Sequence, residues 1–263
     1  MDKETKQKLA RALGAEDTEV LPYLPYLLQD LQNLGTPIKP LLDMIKTHIP
    51  DIRSAKVLDL GAGKGCVGLP LASCTGAYVF MVDAFAEFIE YAQSKAAETG
   101  VTNCAFLTED ITQTVLAARN YDLVLLCSVG NVFGDFSSLA TIEALKQTVK
   151  SGGYIIIEES YFADRAFDVK CKAEYETLAD WMRSFEKAGV RLVASYDEGL
   201  SEDDIDFDRD NRHIRWRADE LSAKYPDKKE LFQGYVQSQL NECNDLAILK
   251  TSIWLLQVED QSS

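Results

Sequence analysis

The sequence predicts an α/β fold: a doubly wound, seven-stranded, mostly parallel sheet with an antiparallel terminal strand. Between residues 55 and 159, five short apolar segments alternate with helix-like segments, the order that crossover helices impose on a parallel sheet. These segments lack the polar alternation of half-exposed strands, so we expect helices on both faces of the sheet. Two later strand-like segments lack the usual crossover helix between them and predict an antiparallel pair at the sheet edge.

The first fifty residues carry helix signals and no strand signal, and they predict an N-terminal helical cap over 1–50. Its helices are expected at 3–13, 20–35 and 37–50. The second has two prolines near its start and ends at Gly35, and the third closes at Pro50. The cap precedes the first strand, so the sheet domain is predicted to span 51–263.

The remaining elements follow from apolar patterning and from glycine stops. Strands are predicted at 55–60, 77–83, 104–109, 121–128, 153–159, 190–198 and 246–259. Helices are predicted at 66–74, 85–100, 111–118, 136–153 and 175–189. Gly100 and the pair Gly152 and Gly153 read as helix stops. Residues 198–246 form a predicted insertion, with an acidic stretch at 197–210 and helices at 218–225 and 227–242.

Composition narrows the function classes. The formal net charge of −15 disfavours a nucleic-acid partner, because phosphate binding needs positive charge. We expect no membrane span, since no stretch approaches about 20 uncharged apolar residues. The polar N-terminus and six cysteines without a CxxC pair favour a reduced, cytoplasmic protein. With only two histidines, no metal site is expected.

The motif VLDLGAGKG, at the end of the first predicted strand, indicates a ligand site. Glycines there permit positive φ and let a ligand approach the backbone, and the following helix N-terminus offers free N–H groups. A dinucleotide fingerprint has the spacing GxGxxG, whereas Gly61, Gly63 and Gly65 give GxGxG. Asp59 adds a negative charge, which suits a cationic ligand better than a pyrophosphate.

These residues resemble the first motif of the class I S-adenosylmethionine-dependent methyltransferases. Asp83 matches the family's acidic residue at the end of the second strand, and the segment LTEDI matches the one after the third strand. The resemblance covers about residues 52–196 and extends to the last strand. It implies S-adenosylmethionine as cofactor, bound by Asp59, Gly61, Ala62, Gly63, Gly65, Asp83, Ala84, Asp110, Ile111 and Ser128. Asp83 would hold the ribose hydroxyls, and Asp110 with the Ile111 backbone would face the adenine.

The acceptor site is less constrained by sequence. The fourth strand ends in CSVGNVFGD, without the Asn/Asp-Pro-Pro-aromatic signature of enzymes that methylate nucleic-acid amino groups, and this favours a small-molecule acceptor. Segments outside the sheet are expected to line its pocket. The candidate acceptor-binding residues are Tyr23, Tyr26, Arg215 and Arg217, and the weak catalytic candidates are His213 and Tyr161.

Structural alternatives stay open for these residues. For Asp59 the alternative is a carboxylate that pins the glycine loop without touching a ligand, and for Asp83 it is a solvated acid at the end of a strand. The tyrosine pair fits a helix face that covers a core, and the cluster RHIRWR fits a basic patch that balances the acidic stretch before it. That stretch is either a solvated loop or a lid, and we predict that 198–217 borders the acceptor pocket.

Three functions are compatible with these features. A methyltransferase acting by in-line transfer on a small molecule fits the glycine spacing best. An NAD(P)-dependent oxidoreductase would use the same loop with less suitable spacing. A non-catalytic module that binds S-adenosylmethionine would keep the fold without turnover.

Overall fold

The computed structural model describes residues 3–31, 36–162, 175–198, 207–246 and 249–259. Its centre is one seven-stranded sheet in the order β3-β2-β1-β4-β5-β7-β6. The strands are β1 (Lys56–Leu60), β2 (Tyr78–Asp83), β3 (Cys104–Thr108), β4 (Tyr121–Leu126), β5 (Val149–Tyr161), β6 (Val190–Glu198) and β7 (Lys250–Val258). All are parallel except β7, which pairs antiparallel with both β5 and β6. The predicted fold class is confirmed.

Strand order reverses at β1, which pairs with β2 on one side and with β4 on the other. Crevices at the carboxyl ends of strands beside such a reversal are the usual ligand sites of open α/β sheets. The carboxyl ends of β1, β2 and β4 therefore define where a ligand site is expected. The glycine loop follows β1, Asp83 is the last residue of β2, and Ser128 lies two residues after the end of β4.

The helices are α1 (Lys3–Ala12), α2 (Leu24–Leu27), α3 (Ile38–His48), α4 (Gly68–Thr75), α5 (Ala86–Thr99), α6 (Ile111–Ala117), α7 (Ser138–Lys146), α8 (Leu178–Ala188), α9 (Phe207–Lys224) and α10 (Lys229–Leu246). Short 3-10 helices span Thr18–Tyr23, Ile52–Ser54 and Pro226–Lys228. Gly100 ends α5 in the left-handed conformation with φ of 71°, as predicted for a glycine stop.

The chain forms two compact units. One comprises Met1–Gly35 with Leu200–Leu249, and the other comprises Thr36–Gly199 with Lys250–Ser263. The second unit contains the whole sheet and also α3. The division into a helical cap over 1–50 and a sheet domain over 51–263 stays a prediction.

The core of the sheet unit explains why the strand sequences are so apolar. Apolar side chains of β1, β2, β4, β5 and β7 form one buried cluster with side chains of α3 and α4. Leu58, Met81, Leu123, Ile156 and Leu255 have no measurable exposure. Strands that are covered on both faces of the sheet carry apolar residues on both faces, because neither face contacts water.

Three predicted elements differ from the structure. The described part of the predicted helix at 20–35, up to residue 31, is not one helix: a 3-10 helix and the one-turn α2 take its place, because Pro22 and Pro25 cannot donate the backbone bonds of a continuous helix. Helix α7 ends at Lys146, and Gly152 and Gly153 lie inside β5 instead of ending the helix. Helix α9 begins at Phe207, well before the predicted helix start at 218, and it includes the cluster RHIRWR.

Among the described helices, none combines the length and the apolar character that crossing a membrane requires.

Candidate functional site

The glycine loop after β1 adopts a conformation that side chains resist. Gly61, Gly63 and Gly65 have φ of 74°, 52° and 79°, in the left-handed region that favours glycine. The protein itself also needs the missing side chains. A Cβ on Gly61 would lie 2.4 Å from Cγ2 of Val129, and one on Gly65 would lie 3.0 Å from Leu69. Packing therefore explains part of this spacing, and the loop still leaves Gly61 and Ala62 partly exposed.

Asp83, at the end of β2, ties this loop in place. Its Oδ2 accepts a hydrogen bond from the Gly63 N–H at 2.8 Å, and its Oδ1 accepts one from the Phe85 N–H at 2.9 Å. The side chain is only 8% exposed. Burial raises the pKa of Asp83, and its backbone N–H bonds lower it. Each oxygen keeps a further lone pair, so the carboxylate can hold the loop and accept ligand hydroxyls together.

Asp59 lies under the loop, almost completely buried. Burial and the negative charge of Asp83 raise the pKa of Asp59 to about 7, although the Gly68 N–H lowers it. A Cβ on Gly68 would lie 2.7 Å from Asp59 Oδ2, so the first residue of α4 must be glycine to leave this carboxyl its space. Two acidic groups thus lie within one small region of the site.

The raised pKa of Asp59 predicts a pH-dependent stability difference. The folded protein binds the Asp59 proton more tightly than the unfolded chain does. The stabilisation from this proton is therefore fully present below pH 3.8 and is lost as the pH rises through about 7. Asp59→Asn removes the titration. We expect the stability of the variant relative to the parent to increase across this window, by at most about 1.4 kcal/mol per pH unit.

Urea unfolding of Asp59→Asn and the parent at a series of pH values measures this difference. Titrating groups that do not interact with Asp59 are common to the two proteins and cancel, and the negative charge of Asp83, which raises the pKa of Asp59, belongs to the measured difference. A stability difference that does not change with pH would show that Asp59 titrates in its ordinary range.

Asp110 begins α6 and leaves one oxygen without a partner. Its Oδ1 accepts a hydrogen bond from the Thr112 N–H at 2.9 Å, as an N-cap does. Its Oδ2 is buried and has no hydrogen-bond partner among the described residues. Ile111 is buried beside it, and Ala84 is half-buried after β2. An unpaired buried acceptor fits a ligand that brings a donor, such as the exocyclic amine of adenine.

Ser128 follows β4 next to the glycine loop. Its φ of 55° is unusual for a residue with a side chain, and its successor Val129 is the side chain that a Cβ on Gly61 would meet. Its hydroxyl bonds to Thr36 and Glu158. Ser128 therefore lies where the resemblance places it, at the carboxyl end of β4.

Two charged residues of this region were missed by the sequence interpretation. Lys64 lies buried in the glycine loop, with Nζ 5.3 Å from the ring centroid of Tyr91 and 5.8 Å from that of Phe88. Glu158 is buried in β5. Lys64 was visible as a lone charge in a glycine-rich motif, and Glu158 as the first of two glutamates after an apolar run. Charges in such positions are the signal that would have found them.

The donor set fits S-adenosylmethionine. Carboxylates at the ends of β1, β2 and β3 suit a ligand with hydroxyls, an amine and a positive charge, and they would repel a pyrophosphate. The residues expected to hold it are Asp59, Asp83, Asp110 and the backbone of 61–65. Among the described side chains, no group of three or more His, Cys, Asp or Glu is arranged to hold a metal ion.

In the helical unit, Arg217 is engaged by two carboxylates. Its guanidinium donates to both oxygens of Asp30, at 2.6 and 2.9 Å, and to Glu220 at 2.8 Å. The Tyr26 hydroxyl donates to the same Glu220 oxygen at 2.8 Å, and the His213 Nδ1 lies 4.0 Å from Asp30. These contacts describe a structural network, so an acceptor-binding role for Arg217 or Tyr26 would have to compete with it.

The other acceptor-side candidates are also placed. The ring of Tyr23 packs edge-on against Phe232 at 5.0 Å, and Arg215 is exposed on α9. In the sheet unit, Tyr161 is buried against Trp254, with its hydroxyl 3.1 Å from Ser252 Oγ. The acidic stretch at 197–210 was predicted to be a solvated loop or a lid. Its residues 199–206 lie outside the described residues.

Arg217→Ala should destabilise the protein because it breaks the bond to both Asp30 oxygens and leaves Glu220 without its cation. A bidentate charge-assisted pair of this kind contributes on the order of 1–2 kcal/mol. Thermal unfolding should show a lower midpoint for Arg217→Ala than for Arg215→Ala, which removes the same charge from an exposed position of the same helix. Equal midpoints would contradict the structural role.

One family model and several solved structures are similar to this chain. The family model described as a methyltransferase domain matches residues 53–211. Searched against curated protein sequences, the chain has no significant match. Among solved structures, YjhP from E. coli has a TM-score of 0.71 and 16% identity, over 89% of this chain and 98% of that one.

Two further structures have the same fold. A SAM-dependent methyltransferase from Thiobacillus denitrificans, solved with S-adenosyl-L-homocysteine, has a TM-score of 0.71 and 19% identity, over 90% of this chain and 98% of that one. The [4+2]-cyclase SpnF has a TM-score of 0.71 and 12% identity, over 97% of this chain and 96% of that one. At such identities the likeness concerns the fold alone, and the fold supports more than one chemistry.

Proposed function

The chain belongs to the methyltransferase domain family, and on that premise we propose that it transfers a methyl group from S-adenosylmethionine to a small-molecule acceptor. The donor follows from the family and from the donor set of the site. The small-molecule acceptor is the finer part of the proposal. It is supported by the net charge of −15 and by the lack of a nucleic-acid-type motif after β4.

The observation that carries the proposal is the set of acidic side chains around the glycine loop. Asp59, in β1, and Asp83, at the end of β2, lie on adjacent strands, and Asp110 Oδ2 is buried without a hydrogen-bond partner among the described residues. A sulfonium nucleoside offers a positive charge, two ribose hydroxyls and an adenine amine to these groups. NAD(P) would instead bring a pyrophosphate next to two carboxylates, which electrostatics disfavours.

When bound, S-adenosylmethionine supplies an electrophilic methyl group, and the electron pair of the breaking carbon–sulfur bond stays on sulfur. The protein's contribution is mainly alignment. Asp83 positions the ribose while it holds Gly63, and the backbone of the glycine loop shapes the space for the rest. Ser128, at the end of β4, is the exposed polar side chain next to this loop.

The test has two stages. Calorimetry with S-adenosylmethionine, S-adenosylhomocysteine and NAD should give binding for the first two and none for NAD. A panel of small metabolites is then incubated with S-adenosylmethionine and read by mass shift. A product should appear that is roughly 14 mass units heavier than its substrate, because a methyl group has replaced a proton.

Each alternative has its own outcome in this test. Binding of NAD in place of S-adenosylmethionine would support an oxidoreductase. Cofactor binding without transfer to any panel member or to nucleic acid would support a non-catalytic module. Transfer to nucleic acid alone would keep the methyltransferase activity and overturn the small-molecule acceptor.

A further inference from the structure

Three side chains form a buried hydroxyl–carboxyl group in the sheet unit, which we call the Glu158 cluster: Thr36, Ser128 and Glu158. The Thr36 hydroxyl donates to Glu158 Oε2 at 2.5 Å, and the Ser128 hydroxyl donates to the same oxygen at 3.2 Å. The two hydroxyl oxygens are 3.0 Å apart. Glu158 itself is 5% exposed, so the protein has placed a carboxylate in its interior and given it neutral hydrogen-bond donors.

The cluster adjoins the glycine loop. Leu126 of β4 pairs with Ile157 of β5, so Glu158 lies beside the residue that precedes Ser128. Val129 then reaches the glycine loop, where a Cβ on Gly61 would lie 2.4 Å from its Cγ2. Ser128 is an exposed residue and Glu158 is buried, so Ser128 is the solvent-side end of the cluster and the carboxyl is its inner end.

The residues named below as neighbours of Glu158 are uncharged or negative. The buried Cys127 lies just after β4, whose last residue Leu126 pairs with Ile157, and on β7 Ile253 is paired directly with Glu158. Thr36 precedes α3, and Glu159 follows on β5. None of these four side chains carries a positive charge. Burial raises the pKa of Glu158 to about 7, although the hydroxyls of Thr36 and Ser128 lower it, so the carboxyl gains and loses its proton near neutral pH.

We infer that Glu158, acting through the Ser128 hydroxyl, takes up the proton that the methyl acceptor loses. This inference rests on the proposed function and narrows its substrate class. The acceptor is a compound whose nucleophilic nitrogen or oxygen carries a proton, an amine or a hydroxyl compound. A nucleophile without a proton would need no such group.

The proton balance is simple. The acceptor's lone pair forms the bond to the methyl carbon while the N–H or O–H bond gives up its proton. Ser128 Oγ receives that proton and passes its own to Glu158 Oε2, along the hydrogen bond that the structure contains. The carboxylate becomes a neutral carboxyl, and Ser128 regains its original state. The proton then leaves to solvent by the same exposed hydroxyl before the next turnover.

Glu158→Gln tests this role, with Glu159→Gln as the matched control in the neighbouring position of the same strand. With the acceptor found by the mass-shift panel, we expect Glu158→Gln to reduce kcat on the order of 100-fold, the usual range for loss of general acid–base help. The activity of the parent should rise with pH through about 7, as Glu158 ionises, and that rise should be absent from the variant. Glu159→Gln should keep both.

Calorimetry with S-adenosylhomocysteine separates the two proposals. If the parent fails to bind it, the proposed function fails. If parent and Glu158→Gln bind it equally and the variant keeps full kcat with an unchanged pH profile, only the inference on Glu158 fails. A loss of kcat with an unchanged pH profile would also overturn it, since a merely structural role predicts that result.

A direct titration needs no acceptor. In protein labelled with ¹³C at the glutamate carboxyl, the resonance absent from Glu158→Gln reports the protonation of Glu158. It should titrate near neutral pH, and Ser128→Ala should raise its pKa further, because a donor to the carboxylate is lost. A carboxyl that titrates in the ordinary glutamate range, or that does not respond to Ser128→Ala, would overturn the proposal.

Discussion

Asp83→Ala is expected to weaken S-adenosylmethionine binding by about 100-fold or more. The carboxylate would accept two ribose hydroxyls, and charge-assisted hydrogen bonds of this kind contribute about 1.5–3 kcal/mol each. The variant also frees the N–H groups of Gly63 and Phe85, which the carboxylate now holds at 2.8 and 2.9 Å. The glycine loop therefore loses its anchor together with the ligand's partner, and calorimetry measures the combined effect.

The control for charge is Glu87→Ala, an exposed acidic residue in the first turn of α5. It removes one negative charge near the site and should leave the dissociation constant within about twofold, since exposed charges are screened. Circular dichroism establishes that Asp83→Ala is folded. An unchanged dissociation constant in folded Asp83→Ala would remove Asp83 from the ligand site.

Gly61→Ala is expected to have the second large effect, through sterics instead of charge. The added Cβ would lie 2.4 Å from Val129 Cγ2, closer than atoms tolerate, at a residue with φ of +74°. The left-handed backbone alone costs about 1–2 kcal/mol for alanine, and overpacking adds about 1–3 kcal/mol. Since Gly61 belongs to the glycine loop of the proposed ligand site, binding of S-adenosylmethionine should fall together with stability.

Two further variants divide this effect into its parts. Gly100→Ala has the same backbone conformation, with φ of +71°, but its Cβ would have no atom within 4 Å, so it measures the backbone cost alone. Val129→Ala in the Gly61→Ala protein removes the close Cγ2 atom, and the next contact, to Cβ, is an ordinary 3.6 Å. The double variant should approach Gly100→Ala in stability. No recovery would contradict the steric explanation.

Sequence reasoning succeeded where a function depends on residues close together in the chain. The spacing of Gly61, Gly63 and Gly65 and the alternation of strands and helices are local patterns, and each predicted strand is present within a few residues. Errors arose where local signals compete. Pro22 and Pro25 interrupt a segment whose apolar spacing is helical, and the pairing of Tyr121 with Val149 extends β5 back through a glycine pair that usually ends helices.

The sequence alone determined the fold class, the glycine loop and the strand-end acids, because backbone conformation and apolar periodicity act over a few residues. Only the tertiary structure decided which distant groups meet. Thr36 and Glu158 are 122 residues apart in the chain and share a hydrogen bond, and Arg217 and Asp30 are 187 residues apart and share two. Such pairs leave no periodic trace, because a buried charge needs a partner but the sequence does not say from which element it comes. The protonation of Glu158 and the engagement of Arg217 follow from these long-range contacts and from burial, which arise when the strands and helices pack.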